Sequence, residues 1–340
     1  MEQLLAAQPS SVPDPAPQAS RPRHRAAAAW AAGLLVAVPT LVTGCRLLDT
    51  DALTPVPQLL SFLPWLTLPA ALAALLALVA RRRLLAGWSA LVLLTTAWFT
   101  LPYGPDTTTA RGPVVERLRV LAANVEFGEA TGALVTAARR ERPALLYVSE
   151  CDPACVRALT GALSTNLPHR AVVDGEGSTG SVILSAYPLT ARPPIPAAMG
   201  MPGAGARIGG RDVELRLAHP LPPLPRQVED WRTELGRVAD AAGAAHRAGG
   251  PVLLAGDFNA SQDHAAFRAV LDTGRLHDAA RLAGAARTPT WPRELALPPY
   301  VQIDHVLVSD DFRVRQVRFL ELTGSDHRAV LTDLDLHAGR

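Results

Sequence analysis

The chain has 340 residues, enough for two or more structural units. Its formal charge of +2 is the balance of 33 basic residues, all of them Arg, against 31 acidic ones, and it averages two unlike parts. The first 111 residues hold 8 Arg and 5 acids, whereas from Gly112 onward 25 Arg meet 26 Asp plus Glu. The larger part therefore lacks the basic excess of a non-specific nucleic-acid binder.

Residues 1–25 are rich in Ala, Pro, Gln and Ser without apolar periodicity, and read as a disordered cytoplasmic tail closed by Arg21, Arg23 and Arg25. Three apolar runs follow, Ala26–Leu48, Pro55–Ala80 and Leu84–Leu101. Each is near the length that spans a bilayer, so 26–101 is expected to be a three-helix transmembrane region. Arg81–Arg83 lie between the second and third runs. The positive-inside rule places them and the amino terminus in the cytoplasm and everything after Leu101 outside. The expectation is thus a multi-pass protein of the cell membrane with an extracellular domain. Val42-Thr43-Gly44-Cys45 resembles a lipobox, which offers a lipid anchor at Cys45 as the rival arrangement. Residues 102–113 read as an extended linker, and 114–340 as a single α/β domain.

Within that domain strand and helix patterns alternate. Leu118–Val125, Ala144–Ser149, Arg170–Val173, Ser181–Ser185, Val213–Ala218, Val252–Ala255, Ile303–Val308, Val314–Phe319 and Ala329–Leu334 are strand-like. Thr131–Arg142, Pro153–Leu163, Val228–Arg247 and Asp263–Leu271 are helix-like. The order is richer in strands than a repeated βα unit and fits two packed sheets with helices outside.

Polar residues collect where these strands end: Asn124, Glu150, His219, Asp257 with Asn259, Asp304 with His305, and Ser325-Asp326-His327. Gly256 is expected to break the strand Val252–Ala255. If the strand direction continues, Asp257 and Asn259 project to the same side, a carboxylate that can take a proton beside an amide that can hold water or a phosphate oxygen. The plain alternative is a strand followed by an Asx turn.

In this order, Leu-Ala-Ala-Asn124, Leu-Tyr-Val-Ser-Glu150, Gly180-Ser-Val-Ile-Leu-Ser185, His219, Gly256-Asp-Phe-Asn259, Ile303-Asp-His305 and Ser325-Asp-His327 resemble the endonuclease/exonuclease/phosphatase (DNase I-like) family. That family includes nucleases, inositol phosphatases and neutral sphingomyelinases. The resemblance spans roughly Arg117–Leu334. It implies a four-layered α/β sandwich, here preceded by three transmembrane helices, and hydrolysis of phosphate esters by activated water with Mg²⁺, Mn²⁺ being the alternative ion. By the same resemblance Glu150 ligates the metal with Asn124 and Asp326 nearby. Asp257 orients or deprotonates the water with help from Asn259. His219 and His327 grip the phosphate, and Asp304 fixes the tautomer of His327. A metal held by few carboxylates suits Mg²⁺, which keeps several waters.

The family commonly carries an Arg after the Gly180 strand, where this chain has Ala186, and no carboxylate partner for His219 is evident. That departure supports a second hypothesis, a catalytically impaired relative that binds a phosphate-bearing ligand. Arg207 is a candidate phosphate contact or an ordinary surface residue. Cys151 and Cys155, four apart beside Glu150, can meet across a helical turn, and a disulfide there is permitted outside the cell. The expected substrate is a phosphate ester, whether DNA, a phospholipid head group or a small molecule. A membrane is the other expected partner, and the sequence points to no protein partner.

Overall fold

The computed structural model describes residues 21–293 and 300–339. Most of the expected tail, residues 1–20, lies outside them. Arg21, Arg23 and Arg25, expected to close that tail, instead form the first turns of helix α1 (Arg21–Leu47). A short helix α2 (Val56–Leu60), a 3-10 turn (Leu63–Leu66), α3 (Thr67–Val79) and α4 (Arg83–Phe99) complete a helical module. The rest of the chain runs β1 (Val114–Asn124), α5 (Thr131–Glu141), β2 (Leu145–Ser149), α6 (Pro153–Leu163), β3 (His169–Val173), β4 (Ser181–Ser185), β5 (Leu189–Arg192), β6 (Gly203–Ile208) and β7 (Arg211–Leu217). It ends with α7 (Val228–Arg247), β8 (Val252–Asp257), α8 (Ala265–Gly274), β9 (His277–Asp278), α9 (Ala279–Leu282), β10 (Asp304–Val308), β11 (Phe312–Glu321) and β12 (Arg328–His337).

Of the three expected spans, one meets the length and hydropathy of a membrane-crossing helix, Arg23–Leu47. The other two apolar helices, Leu63–Val79 and Arg83–Phe99, are shorter. The reason in the second run is proline: Pro55, Pro57 and Pro64 divide it into α2, the 3-10 turn and α3, with prolines in the opening turns of the first two pieces. The 17 residues of α4 make about 26 Å of helix, against a hydrocarbon core of roughly 30 Å. Helix α1 continues through Gly44 and Cys45, and Cys45 packs against Val42, Val56 and Leu60. Between the helices the buried residues are small, Ala32, Ala70, Ala73, Ala77 and Ala86 with Val36 and Val92. The large ones face out, among them Trp30, Leu34, Leu75, Leu78, Leu94 and Trp98. Thr43 and Thr96 hydrogen-bond between α1 and α4 at 2.7 Å.

The domain is built on two six-stranded sheets, ordered β11–β12–β1–β2–β4–β3 and β5–β6–β7–β8–β10–β9. Their inner faces meet in a core that includes Val120, Tyr147, Ile183, Leu215, Leu253 and Val306. Leu121, Leu146 and Val148 on the first sheet's outer face pack beneath Leu134 of α5 and Leu159 of α6. Trp231, Leu235 and Val238 of α7 and Phe267 of α8 cover Val252, Leu254 and Leu307 on the second. The result is the expected four-layered sandwich. Strands buried on both faces read as unbroken apolar runs, which is why their positions were legible. Strand β6, Gly-Ala-Gly-Ala-Arg-Ile, was not expected. Its glycines make room for arginine: a Cβ on Gly203 would lie 2.5 Å from the Arg216 guanidinium, and one on Gly205 2.9 Å from that of Arg192.

The helical module is docked on the domain rather than joined by a free linker. Asp51, buried, accepts from the Arg232 side chain at 3.0 Å and from the Ala266 N–H at 2.8 Å. Arg268 pairs with Asp49. Arg287 donates to Thr100 and Phe99 carbonyls at 2.7 and 2.9 Å while paired with Asp263. The His264 ring accepts from the Ser261 N–H at Nδ1, which leaves the Nε2 proton for the Pro57 carbonyl at 2.8 Å. Burial lowers the pKa of His264 and keeps that neutral tautomer. The segment expected as a linker is also held, with Tyr103 N–H on Gln262 and Thr108 Oγ1 on the Phe312 carbonyl.

Candidate active site

The strand pattern brings the polar residues to one edge of the sandwich. β1 and β2 are parallel, as are β7 and β8, so Asn124, Glu150, His219 and Asp257 all lie at carboxyl ends. β10 and β12 run antiparallel to β8 and β1, so they bring their amino-terminal residues, Asp304 and His327, to the same edge. Asp304 pairs directly with Asp257 in the register.

Gly256 does not break its strand. It has φ +145°, and a Cβ there would lie 2.2 Å from the Ala218 carbonyl oxygen, so glycine lets β7 and β8 close up and β8 extend to Asp257. Both sequence readings of Asp257 and Asn259 then hold in part. Asp257 faces the site, and Asn259 turns back with φ 45°, its N–H on Asp257 Oδ1 at 2.8 Å. That is an Asx turn. The Asn259 amide donates to the Pro220 carbonyl at 3.0 Å and so fixes the loop just after His219. Phe258 packs the other way, edge-on to Phe267.

Asn124 is the hub. Its Nδ2 donates to Glu150 Oε1 at 2.9 Å and to Asp257 Oδ2 at 3.0 Å, and its Oδ1 accepts from the Glu126 N–H at 3.0 Å. Since an N–H can only donate, the amide orientation is fixed, and Asn124 presents its donor face to the two carboxylates. Glu150 has φ 57° and also accepts from the Phe127 N–H at 3.2 Å. Behind it a disulfide joins Cys151 and Cys155 with Cα atoms 5.2 Å apart, and Asp152 caps α6 by accepting from the Cys155 N–H. Burial raises the pKa of Glu150, and the nearby Asp257 charge adds to this. Burial raises Asp257 as well, against the opposing pull of His327.

His327 Nδ1 meets Asp304 Oδ2 at 2.8 Å, and its Nε2 lies 3.8 Å from Asp257 and 3.6 Å from Asp326. Burial pulls its pKa down, but the Asp304 and Asp257 carboxylates outweigh that and push it up to about 10. His327 is therefore a cation at neutral pH. His219 is its opposite: burial lowers it to about 4, and neither ring nitrogen has a hydrogen-bond partner. Its Nε2 lies 3.8 Å from Glu150 and 4.0 Å from Asp257. A fully buried imidazole with both nitrogens unpaired costs stability unless a ligand completes it.

The eight candidate residues thus gather at one cleft: Glu150, Asp257, Asn259, Asp326 and His327 line it, and Asn124, His219 and Asp304 are buried against them, with Asp326 accepting from Trp291 Nε1 at 2.8 Å. His305 points to the other face of β10, where its ring meets Asp278 at 2.8 Å and lies against Phe267. Arg207 pairs with Asp212 on the surface. Ala186 follows the end of β4 that pairs with the start of β2, whereas Glu150 follows the far end of β2. The missing Arg therefore lies away from the cleft and bears on none of its contacts. Residues that the sequence reading passed over also take part. Glu126 accepts from the Asp326 N–H at 2.7 Å. Arg293 holds the Ser325 and Asp326 carbonyls, each at 2.7 Å. Nothing in the local sequence around Trp291 or Arg293 signals these contacts, because they come from a loop that meets the site only in three dimensions.

The carboxylates Glu150, Asp257 and Asp326 offer the oxygen ligands that a hard divalent cation takes. The tightest grouping of such donors is Asp257, Asp304 and His327, whose ligand atoms lie within 4.8 Å of one another. In that grouping His327 Nδ1 is already engaged by Asp304 Oδ2 at 2.8 Å.

Residues 121–327, more than half of the chain, match the model of the Endonuclease/Exonuclease/phosphatase family. Among solved structures, a D. rerio TDP2 humanised by 14 mutations superposes with a TM-score of 0.54 at 15% identity, covering 64% of this chain and 99% of that one. Truncated Caenorhabditis elegans TDP2 gives 0.52 at 15% identity over 64% and 98%. A family protein of Leptotrichia buccalis gives 0.51 at 14% identity over 64% and 100%. These likenesses concern the fold, and no curated protein matches the chain. With the sandwich, the convergent strand ends and the family match in agreement, the chain belongs to the endonuclease/exonuclease/phosphatase family and is a hydrolase of phosphate ester bonds.

Proposed function

We propose that the chain is a membrane-tethered, Mg²⁺-dependent phosphoesterase whose catalytic domain faces the cell exterior and which attacks phosphorus with activated water. One arrangement carries this reading: a single amide, Asn124, joins the Glu150 and Asp257 carboxylates, while the charged His327 held by Asp304 stands across from Asp257. Asp257 is the base. Burial raises its pKa, which brings it closer to the working range of a general base. His327 offers positive charge to the phosphoryl oxygens, and Asp304 sets which nitrogen faces them. Neutral His219, with Nε2 3.8 Å from Glu150 and 4.0 Å from Asp257, would supply a hydrogen bond to the phosphate. Glu150 would hold the cation, with Asp326 as a second oxygen donor and Asn124 orienting Glu150. When bound, Mg²⁺ (or Mn²⁺) neutralises charge on the phosphoryl oxygens. The impaired-relative reading rested on the Arg replaced by Ala186, and that position is remote from the cleft.

The test is hydrolysis by the purified full-length chain of a panel of phosphodiesters and phosphomonoesters. Turnover with Mg²⁺ that vanishes in EDTA is expected. No turnover of any substrate at saturating Mg²⁺ and Mn²⁺ would sink the reading.

The tether rests on the inverted packing of the helical module, small residues inside and leucines outside, which suits lipid better than water. Arg81–Arg83 sit beside Ala26 and Trp30 at one end of that module, and Asp49, Asp51 and Thr100 meet the domain at the other. The positive-inside rule then puts the domain outside. A reporter that works only outside the cytoplasm is expected to be active when fused after Arg340. Activity solely from a cytoplasm-dependent reporter would reverse the topology.

A further inference from the structure

The catalytic cleft has a wall that the domain does not make. Gln58, Ser61 and Phe62, all from the helical module and outside the stretch that matches the family, line the same cavity of about 360 Å³ as Glu150, Asp257 and His327. This wall is fixed in place. Leu60 and Leu63, on either side of Ser61 and Phe62, are buried in the module. Gln58 donates to the Pro223 carbonyl, Thr54 to the Pro225 carbonyl, and the Pro57 carbonyl meets His264. Buried Asp51 ties the loop that precedes α2 to α7 and α8.

The cavity has two characters. Its floor is polar: Glu150, Asp257, Asn259, Asp326 and His327. Its upper walls carry large apolar side chains that remain partly open, Phe62 on the module side and Phe127, Met199, Leu224 and Trp291 on the domain side. Phe127 and Leu224 are more than half exposed, at 54% and 52%. Among the described residues, no Arg lines the cavity. A strand of nucleic acid needs cations along its backbone as well as aromatic faces for its bases, and His327 alone serves one phosphate.

We propose that Phe62 and Leu224, which line the same cavity, are specificity-determining residues that hold the apolar part of an amphiphilic phosphoester while its phosphate reaches the floor. The substrate class is thereby an ester that joins a phosphate to an extended apolar group. This rests on the phosphoesterase reading above. It also gives the helical module a role beyond anchorage, since the wall comes from α2 and the two residues that join it to the 3-10 turn.

The probes are ethyl phosphate and octyl phosphate, titrated calorimetrically into the detergent-solubilised full-length chain. Leu75→Ala, on the outward face of α3, controls for partition into the micelle. Octyl phosphate should bind at least about tenfold tighter than ethyl phosphate, since each methylene removed from water adds affinity. Phe62→Ala should abolish most of that difference and leave ethyl phosphate unchanged. Leu224→Ala, on the wall the domain supplies, should do the same, which separates loss of the contact from loss of the module's fold. Leu75→Ala should change neither affinity. Equal affinities for the two probes in the wild type, or a difference that survives both variants, would overturn the proposal. So would oligo(dT) binding that Phe62→Ala weakens in the absence of any dependence on alkyl length. The two readings fail separately: hydrolysis with equal affinities overturns this inference alone, and a Phe62-dependent length preference without hydrolysis overturns the hydrolase alone.

Discussion

Asp257→Asn and His327→Ala are each expected to lower kcat at least about a hundredfold on the scale of general acid–base help and charge stabilisation. Water is a weak nucleophile at neutral pH, and a phosphate ester repels it. In the proposed mechanism Asp257 addresses the first difficulty and His327 the second, and the two groups lie 3.8 Å apart. They act on one transition state, so their effects do not add, and the double variant should be little worse than the poorer single one. Asp304→Asn should cost less. It leaves His327 in place but removes the leading charge that raises its pKa and the hydrogen bond that orients it. The measurement is kcat for the four variants on a substrate that the wild type cleaves, with circular dichroism as the check on folding. Near-wild-type kcat for Asp257→Asn would reduce the turn at Asn259 to a structural feature and remove the base from the mechanism.

Glu150→Ala is expected to abolish most activity and the thermal stabilisation by Mg²⁺, while the fold survives. The fold should survive because the backbone around Glu150 is held independently of its side chain. The Cys151–Cys155 disulfide follows it, and the Cys151 N–H donates to the Gly180 carbonyl at 2.9 Å. Without metal, the variant should unfold no earlier than the wild type, since burial and the Asp257 charge both disfavour the ionised Glu150 and its removal relieves that cost. Thermal melts with and without Mg²⁺ read this directly and do not depend on turnover. Unchanged activity at limiting Mg²⁺, or an undiminished melting shift, would reassign the metal to other residues.

Several local features were legible because their signals are local. Pro153–Leu163 begins at a proline and carries its cap, Asp152, one residue earlier. Val228–Arg247 shows its buried face in Trp231, Leu235, Val238 and Ala242. Ser181–Ser185 is buried along its whole length and reads as an apolar run. The misreadings have equally local causes. Gly256 reads as a breaker until the Ala218 carbonyl is seen where a Cβ would be. Strand β6 is absent from the expected strands because its glycines serve Arg192 and Arg216, which are distant in sequence. The second apolar run reads as one span because hydropathy averages over the prolines that divide it.

The sequence by itself determined which residues could do the chemistry, because carboxylates, amides and imidazoles at the ends of apolar runs are conspicuous in a chain of Ala, Leu and Arg. It also determined that the first hundred residues differ in kind from the rest. How those groups are paired and charged is visible only in three dimensions. One amide on Asn124 serves two carboxylates, Asp304 commits His327 to a charged state, and His219 is left neutral with both nitrogens unpaired. The tertiary structure also decided that Ala186 lies away from the cleft and that Phe62 lies in it. The physical reason is the same throughout: a side chain's identity and its local pattern are written within a few residues, whereas burial, charge pairing and proximity are set by strands and loops that lie far apart in the chain, such as Asn124 and Asp257, or Phe62 and Leu224.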